Sequence, residues 1–290
     1  MQTNEAKKQE QISRLERYLA TAFEQVRGAS YSFLDEEGNV YDELLRNFSA
    51  EQQERLLQQI SRTMAKPGVH RIMDQGCGEG NTIWKITSNF AQAHPDNQFE
   101  GYGVTAALEY MKSGNSTKDP AEWSQEEDEF AHQYDMYPFA STVKNASLYG
   151  LEQDLHTAMR DFPRQLDLAI SDHTYFHLAA PWLVFKRTAD RLRTGGTAII
   201  RNLFYEPVYI RPEEVLGLRP TEIVRRLEEI NQGYEFLLEE TDRISATLAI
   251  IRKRQDVPFR TNISLRSVRW DLSHYFRETP NDNFLSIDEL

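Results

Sequence analysis

The sequence predicts an α/β fold: a doubly wound, mostly parallel sheet of seven strands, helices on both faces, and a helical N-terminal extension. Three observations carry that expectation. Short apolar runs alternate with helix-periodic segments from His70 to Arg252. The run Leu166 to Ile170 is nearly all apolar, as a strand covered on both faces should be. Between the first strand and its helix stands "DQGCGEG", in which Gly76, Gly78 and Gly80 occupy alternate positions.

Residues 4 to 27 predict a helix, because Ile12, Leu15, Leu19, Phe23 and Val26 recur at spacings of three and four. "GASYSFLDEEGNVYDELL" is turn-rich, with a loop at Asp35 to Gly38. Ser49 followed by Gln52 is a capping-box pattern for a second helix reaching about Ala65, ended by Pro67 and Gly68. Strands follow at Arg71 to Asp74 and Phe99 to Val104, around a helix marked by Ile83, Ile86, Phe90 and Ala93. Residues 107 to 145 break this rhythm and read as a partly helical insertion, with an acidic run and the aromatic patch "YDMYPF". A third strand at Ser147 to Leu151 precedes the fourth at Leu166 to Ile170. Leu178, Trp182, Phe185, Ala189 and Leu192 mark a helix ended by Gly195 and Gly196, and Thr197 to Leu203 is the fifth strand. Thr221 to Ile230 is helical, and Tyr234 to Glu239 with Ala246 to Arg252 close the sheet as an antiparallel pair. The chain thus divides into an extension or lid at 1–66, a sheet domain at 67–253 and a tail at 254–290.

Composition narrows the function. No apolar run approaches a membrane span, and "MQTNEAKKQEQISRLERYL" lacks the apolar core of a secretory signal. Cys77 is the only cysteine, so no intrachain disulfide forms; a cytoplasmic location is expected. The net charge of -12 disfavours a general nucleic-acid binder. The basic stretch Arg252 to Trp270 reads as a solvated strand end and tail, or as a dock for an acidic partner.

In an open parallel sheet, ligands bind beyond the carboxyl ends of the strands. Glycines there permit a sharp turn and a close approach to main chain, and the next helix points its free N–H groups at the ligand. Counted from Asp74 the pattern is D-x-G-x-G-x-G, not the G-x-G-x-x-G of dinucleotide enzymes. An acid, three glycines and a cysteine between strand and helix resemble the Rossmann-like (class I) S-adenosylmethionine-dependent methyltransferases. The resemblance runs from about His70 to Arg252, where "LDLAISDHTYFHLAAPWLVFKRTADRLRTGGTAII" looks like the family's fourth strand, helix, Gly-Gly turn and fifth strand.

That resemblance implies S-adenosylmethionine as cofactor and a role for each matching residue. Asp74 would meet the cofactor's amino group, and Gly76, Cys77, Gly78 and Gly80 would cradle its methionine part with main chain. The thiol of Cys77 reads as packed and inert, having no basic neighbour in sequence. Thr105 stands where the family usually has an acid gripping the ribose; one hydroxyl cannot make the same two bonds, so Thr105 does a weaker job, Glu109 reaches back, or the register differs. Asp154 and Leu155 would flank the adenine, with an exposed turn acid as the alternative for Asp154. Ser171, Asp172 and His173 would lie where the methyl group is transferred, with His173 as general base or simply a polar residue at a helix start, and Asp172 orienting it or the substrate. His173 and His177 are spaced as metal ligands on a helix could be, but no third ligand adjoins them and no metal is expected. Tyr31 is a candidate lid residue over the cofactor, or an aromatic of the core, and Tyr134, Tyr137, Phe139 and Tyr205 line a substrate pocket or form a satellite core. The expected activity is methyl transfer to an oxygen or nitrogen of a small organic substrate, with a protein substrate or a non-catalytic scaffold as alternatives.

Overall fold

The computed structural model describes residues 4–26, 49–114, 116–172, 174–175, 178, 180–201, 220–240, 247–261 and 288. The N-terminal helix α1 is Asn4–Val26, and α2 is Ala50–Met64. The capping box at Ser49 forms: the Gln52 N–H donates to Ser49 Oγ at 3.3 Å, and the Ser49 N–H donates to Gln52 Oε1 at 2.9 Å. Strand β1 is Val69–Gln75, followed by α3 at Asn81–Ala93 and β2 at Gln98–Thr105.

The region read as an insertion holds α4 at Leu108–Gly114, a 3₁₀ turn at Pro120–Glu122 and α5 at Gln125–Tyr134. It also contributes a strand, β3 at Met136–Phe139, before β4 at Ala146–Glu152. Arg164 ties α5 to β2. Its guanidinium donates to Glu100 at 2.7 Å and to the Tyr102 hydroxyl oxygen at 2.9 Å, and lies 4.2 Å from the centre of the Phe130 ring.

Helix α6 is Leu155–Asp161, β5 Leu166–Ser171, α7 Pro181–Arg191 and β6 Leu192–Ile200. Helix α8 at Pro220–Ile230 precedes β7 at Tyr234–Glu240 and β8 at Thr247–Lys253. The strands form one eight-stranded sheet in the order β3-β4-β2-β1-β5-β6-β8-β7. From β4 to β6 neighbouring strands are parallel; β3 joins one edge antiparallel, and β8 and β7 extend the other in antiparallel pairing.

Two expectations are corrected. The sheet has eight strands instead of seven, because β3 pairs with β4 at the edge. Beyond β4, β3 also meets residues 116–118, and Pro138, lacking an N–H, enters that contact as an acceptor: the Lys118 N–H donates to its carbonyl at 3.1 Å. The glycines at 195 and 196 do not end a helix: α7 stops at Arg191 and β6 already includes them. A Cβ on Gly196 would stand 2.6 Å from the Leu166 carbonyl oxygen, so this glycine permits close approach to β5 beside an irregularity in the β5–β6 register.

Alternation along β1 sends Ile72 and Met73 to opposite layers. Ile72 packs in the core built by Leu56 and Ile60 of α2 with Ile83 and Ile86 of α3. Met73 belongs to the larger core formed with α1, α6 and α7, including Leu15, Met159, Leu183 and Phe185. Each such side chain, fully buried, contributes about 1.5–3 kcal/mol.

The chain leaves β1 for β2 on one side and later enters β5 on the other, so the order reverses between β1 and β5. A buried polar network fastens that point. Ser171 Oγ donates to the Gln75 carbonyl at 2.9 Å. The Tyr175 hydroxyl donates to Gln75 Oε1 at 2.9 Å, and Gln75 Nε2 donates to Thr188 Oγ1 at 2.7 Å. Gln75, Ser171, Tyr175 and Thr188 are all fully buried, so a missing partner leaves a dry polar atom. Tyr175→Phe should therefore cost about 1–3 kcal/mol of stability by stripping Gln75 Oε1 of its donor. Urea denaturation should show a lower midpoint at unchanged slope.

Candidate functional site

The carboxyl ends of β1 and β5 flank the reversal, where an open α/β sheet leaves a crevice. Asp74 pairs in register with Gly103 of β2 and Ile170 of β5. Its side chain is 6% exposed and has no hydrogen-bond partner among the described residues. Burial, with the Asp172 carboxylate as a second cause, pushes the Asp74 carboxyl up to about 8.

Asp172 immediately follows β5 and is held by Arg201, whose Nη1 donates to Asp172 Oδ2 at 3.2 Å. The Arg201 N–H donates to the Ser171 carbonyl at 2.9 Å and so continues the β5–β6 ladder. The Arg201 side chain is 3% exposed. Arg201 thus engages Asp172, leaving Asp74 as the carboxyl group without a donor among the described residues.

Gly76, Gly78 and Gly80 have φ of 86°, 52° and 82°, a region that other residues enter at a cost. The turn is pinned to β2, since the N–H groups of Gly76 and Cys77 both donate to the Val104 carbonyl at 2.9 Å. The Gly78 N–H has no backbone partner among the described residues. Helix α3 begins at Gly80 without a side-chain cap, so its first turn also presents N–H donors. Gly76 serves the protein's own packing as well: a Cβ there would stand 2.0 Å from Thr174 Oγ1. Thr174, from the segment after β5, therefore lies directly over the start of the turn.

Cys77 packs with its Sγ 3.6 Å from Met111 Sδ, and burial, then Asp74, hold the thiol well above its ordinary range. Thr105 ends β2 and is buried; its Oγ1 donates to the Ala107 carbonyl and accepts from the Ala107 N–H, both at 3.3 Å. Glu109 is exposed on α4. Opposite Thr105 in register stands Glu152 of β4, whose Oε2 accepts from the Leu108 N–H at 3.2 Å.

Asp154 accepts from His156 Nδ1 at 2.9 Å, and the Ala180 N–H donates to His156 Nε2 at 3.1 Å. Those two bonds place the ring proton on Nδ1 and leave Nε2 as acceptor. Asp154 and His156 thereby hold the end of the segment that carries Asp172 and Thr174. Leu155 is a core residue. Phe139 packs edge-on to Trp84 with ring centres 5.1 Å apart, and Tyr134 contacts Phe130 at 5.9 Å, both within packed clusters. His173, His177, Tyr205 and Tyr31 lie outside the described residues. No group of three or more metal-binding side chains occurs among the described residues, and no described helix is long and apolar enough to cross a membrane.

The structure thus brings Asp74, the glycine turn, Ser171 and Asp172 to the carboxyl ends of β1 and β5, with the Ser171 hydroxyl turned inward onto the Gln75 carbonyl. Thr105 and Asp154 are engaged in their own turns beside them. Arg201, Thr174 and Glu152 were not singled out from the sequence. Arg201 and Glu152 do carry the signal that picked out Asp74, a polar residue at the carboxyl end of an apolar strand.

No protein-family model and no curated protein matches the chain. Solved structures do. An rRNA methylase from Streptococcus thermophilus is 13% identical, with 69% of this chain and 97% of that one covered, at a TM-score of 0.36. MNMC2 from Aquifex aeolicus is 14% identical, with 85% of each chain covered, at 0.41. The plantazolicin methyltransferase BamL, solved with SAH, is 11% identical, with 82% of this chain and all of that one covered (100%), at 0.39. Class I S-adenosylmethionine-dependent methyltransferases are among the matched structures.

Two outcomes follow from the geometry. Asp74 binds its proton more tightly folded than unfolded, so stability should fall as pH rises from about 4 to about 8. The slope from this group approaches at most about 1.4 kcal/mol per pH unit. Asp74→Asn should flatten that decline, as read by urea denaturation across the window. Gly76→Ala should cost about 2–4 kcal/mol, from positive φ and the Thr174 contact together. Adding Thr174→Gly should recover the contact share in a double-mutant cycle.

Proposed function

We propose that this chain is a methyltransferase that uses S-adenosylmethionine to methylate an oxygen or nitrogen of a small organic molecule. The observation that carries the reading is the meeting of two opposite polarities at the head of the crevice. Among the described residues, Asp74 is a buried carboxyl group lacking a donor, while the Gly78 N–H and the uncapped start of α3 are donors without a side-chain acceptor. A ligand bearing an ammonium and a carboxylate on one carbon, an amino-acid end, answers both. S-adenosylmethionine has such an end and, when bound, supplies a methyl group activated by a sulfonium.

In this reading Asp74 accepts from the ammonium, and the turn with the first residues of α3 donates to the carboxylate. Asp172, fixed by Arg201, borders the reacting end. His173, next in sequence, takes the proton from the acceptor hydroxyl or amine. Holding acceptor and methyl in line can lower the barrier by several kcal/mol. The net charge of -12 favours a small substrate over a polyanion.

A second reading, a non-catalytic cofactor-binding or scaffold protein, is favoured by one observation: Thr174 occupies the space over Gly76. Calorimetry with S-adenosylmethionine and S-adenosylhomocysteine tests the binding step. Both should bind, and Asp74→Asn should weaken both at least tenfold, about 1.4 kcal/mol. Binding of neither would contradict the proposed function. Labelled methyl transfer across a substrate panel tests the chemistry; there His173→Gln should slow turnover while cofactor affinity holds. Binding with no transfer to any acceptor would favour the second reading.

A further inference from the structure

We propose that Asp154 and His156 act as one positioning pair, which fixes the segment after β5, and with it Thr174 over the glycine turn, by way of the Ala180 N–H. Asp154 stands at the N-cap of α6, where an acid ordinarily accepts from the first N–H groups of its own helix. Its side chain makes no such bond. Both carboxylate oxygens lie instead on His156 Nδ1, at 2.9 and 3.1 Å. The Asp154 side chain is 11% exposed, which sets it apart from a solvated turn acid.

The acceptor at Nδ1 decides what Nε2 can do. With the ring proton drawn to Nδ1, Nε2 keeps its lone pair and accepts the Ala180 N–H at 3.1 Å. With the proton on Nε2, two donors would face each other at a buried site, where no water relieves them. Asp154 therefore acts on Ala180 through the imidazole.

Ala180 closes the segment that starts at Asp172, and α7 begins at the next residue. The beginning of the segment is tied to Gln75 by Ser171 and Tyr175; the His156 bond ties its end. A further bond joins His156 to α7 itself, since Arg187 Nη1 donates to the His156 carbonyl at 2.6 Å. Thr174 lies between the two ties and against Gly76. The pair is thus placed to set one wall of the crevice from a distance, without itself meeting a ligand there. Only its consequence for a ligand rests on the methyl-donor reading.

NMR and amide hydrogen exchange on the full chain test the pair. The His156 ring should carry its proton on Nδ1, and the Ala180 amide should exchange slowly. Asp154→Ala and His156→Leu should each speed Ala180 exchange about tenfold or more. Combining them should add nothing to His156→Leu, because one path carries both effects. The Thr174 methyl resonance should move in both variants. Thermal unfolding confirms that each is folded, and Asp154→Ala decides alone if His156→Leu does not fold. A proton on Nε2 in the wild type, unchanged Ala180 exchange in Asp154→Ala, or an unmoved Thr174 signal would overturn the proposal. In calorimetry with S-adenosylhomocysteine the affinity losses of the two variants should likewise not add; additive losses would mark Asp154 as a direct ligand contact and overturn its positioning role. Absence of binding by the wild type would count against the methyl-donor reading alone, and the exchange rates and the Thr174 signal would still decide the pair.

Discussion

A carboxyl group buried in the protein and given no donor by the described residues is the constraint on which the site depends. Taking an ionised carboxyl out of water costs several kcal/mol unless hydrogen bonds or an opposite charge replace the lost solvent. Asp74 receives neither from the described residues, and it keeps its proton instead. The nearby cation, Arg201, is directed to Asp172. The first strand therefore ends in a polarity that the described residues do not complete. Strain of this kind persists only when the surroundings over-determine it. Here the surroundings are two dry cores, one on each face of β1.

Position is held by hydrogen bonds that contribute little net energy but fix registration. Gln75, between Asp74 and Gly76, receives a hydroxyl from Tyr175 at its side chain and one from Ser171 at its carbonyl. The segment after β5 is thus fastened at its beginning to β1. At its end, His156 accepts the Ala180 N–H and is itself oriented by Asp154. Between these fixed points Thr174 rests on Gly76. The missing side chain of Gly76 is then explained by packing, while Gly78 and the start of α3 keep the donors that a ligand could use.

Much of the architecture was legible because it follows from periodicity. The capping box at Ser49, the apolar strand β5 and the closing antiparallel pair all form. Strand β3 escaped because four residues with a proline look like a loop until an edge is there to receive them. The glycines at 195 and 196 misled because sequence does not separate a turn glycine from one that lets two strands approach. In the site, Asp74 and the glycine turn were legible from their place after a strand. The engagements of Ser171, Thr105 and Asp154 were not. Each polar group forms a bond within two residues or across the sheet, and such bonds depend on register, which composition does not encode.

The central claim concerns the state of one carboxyl group and the ligand that completes it. Carbon-13 NMR of the Asp74 carboxyl, followed through pH with and without S-adenosylhomocysteine, addresses it directly. The expected result is titration near pH 8 in the free protein, and displacement into or below the ordinary carboxylate range when the ligand's ammonium is bound. Titration near pH 4 in the free protein, unchanged by the ligand, would contradict the account.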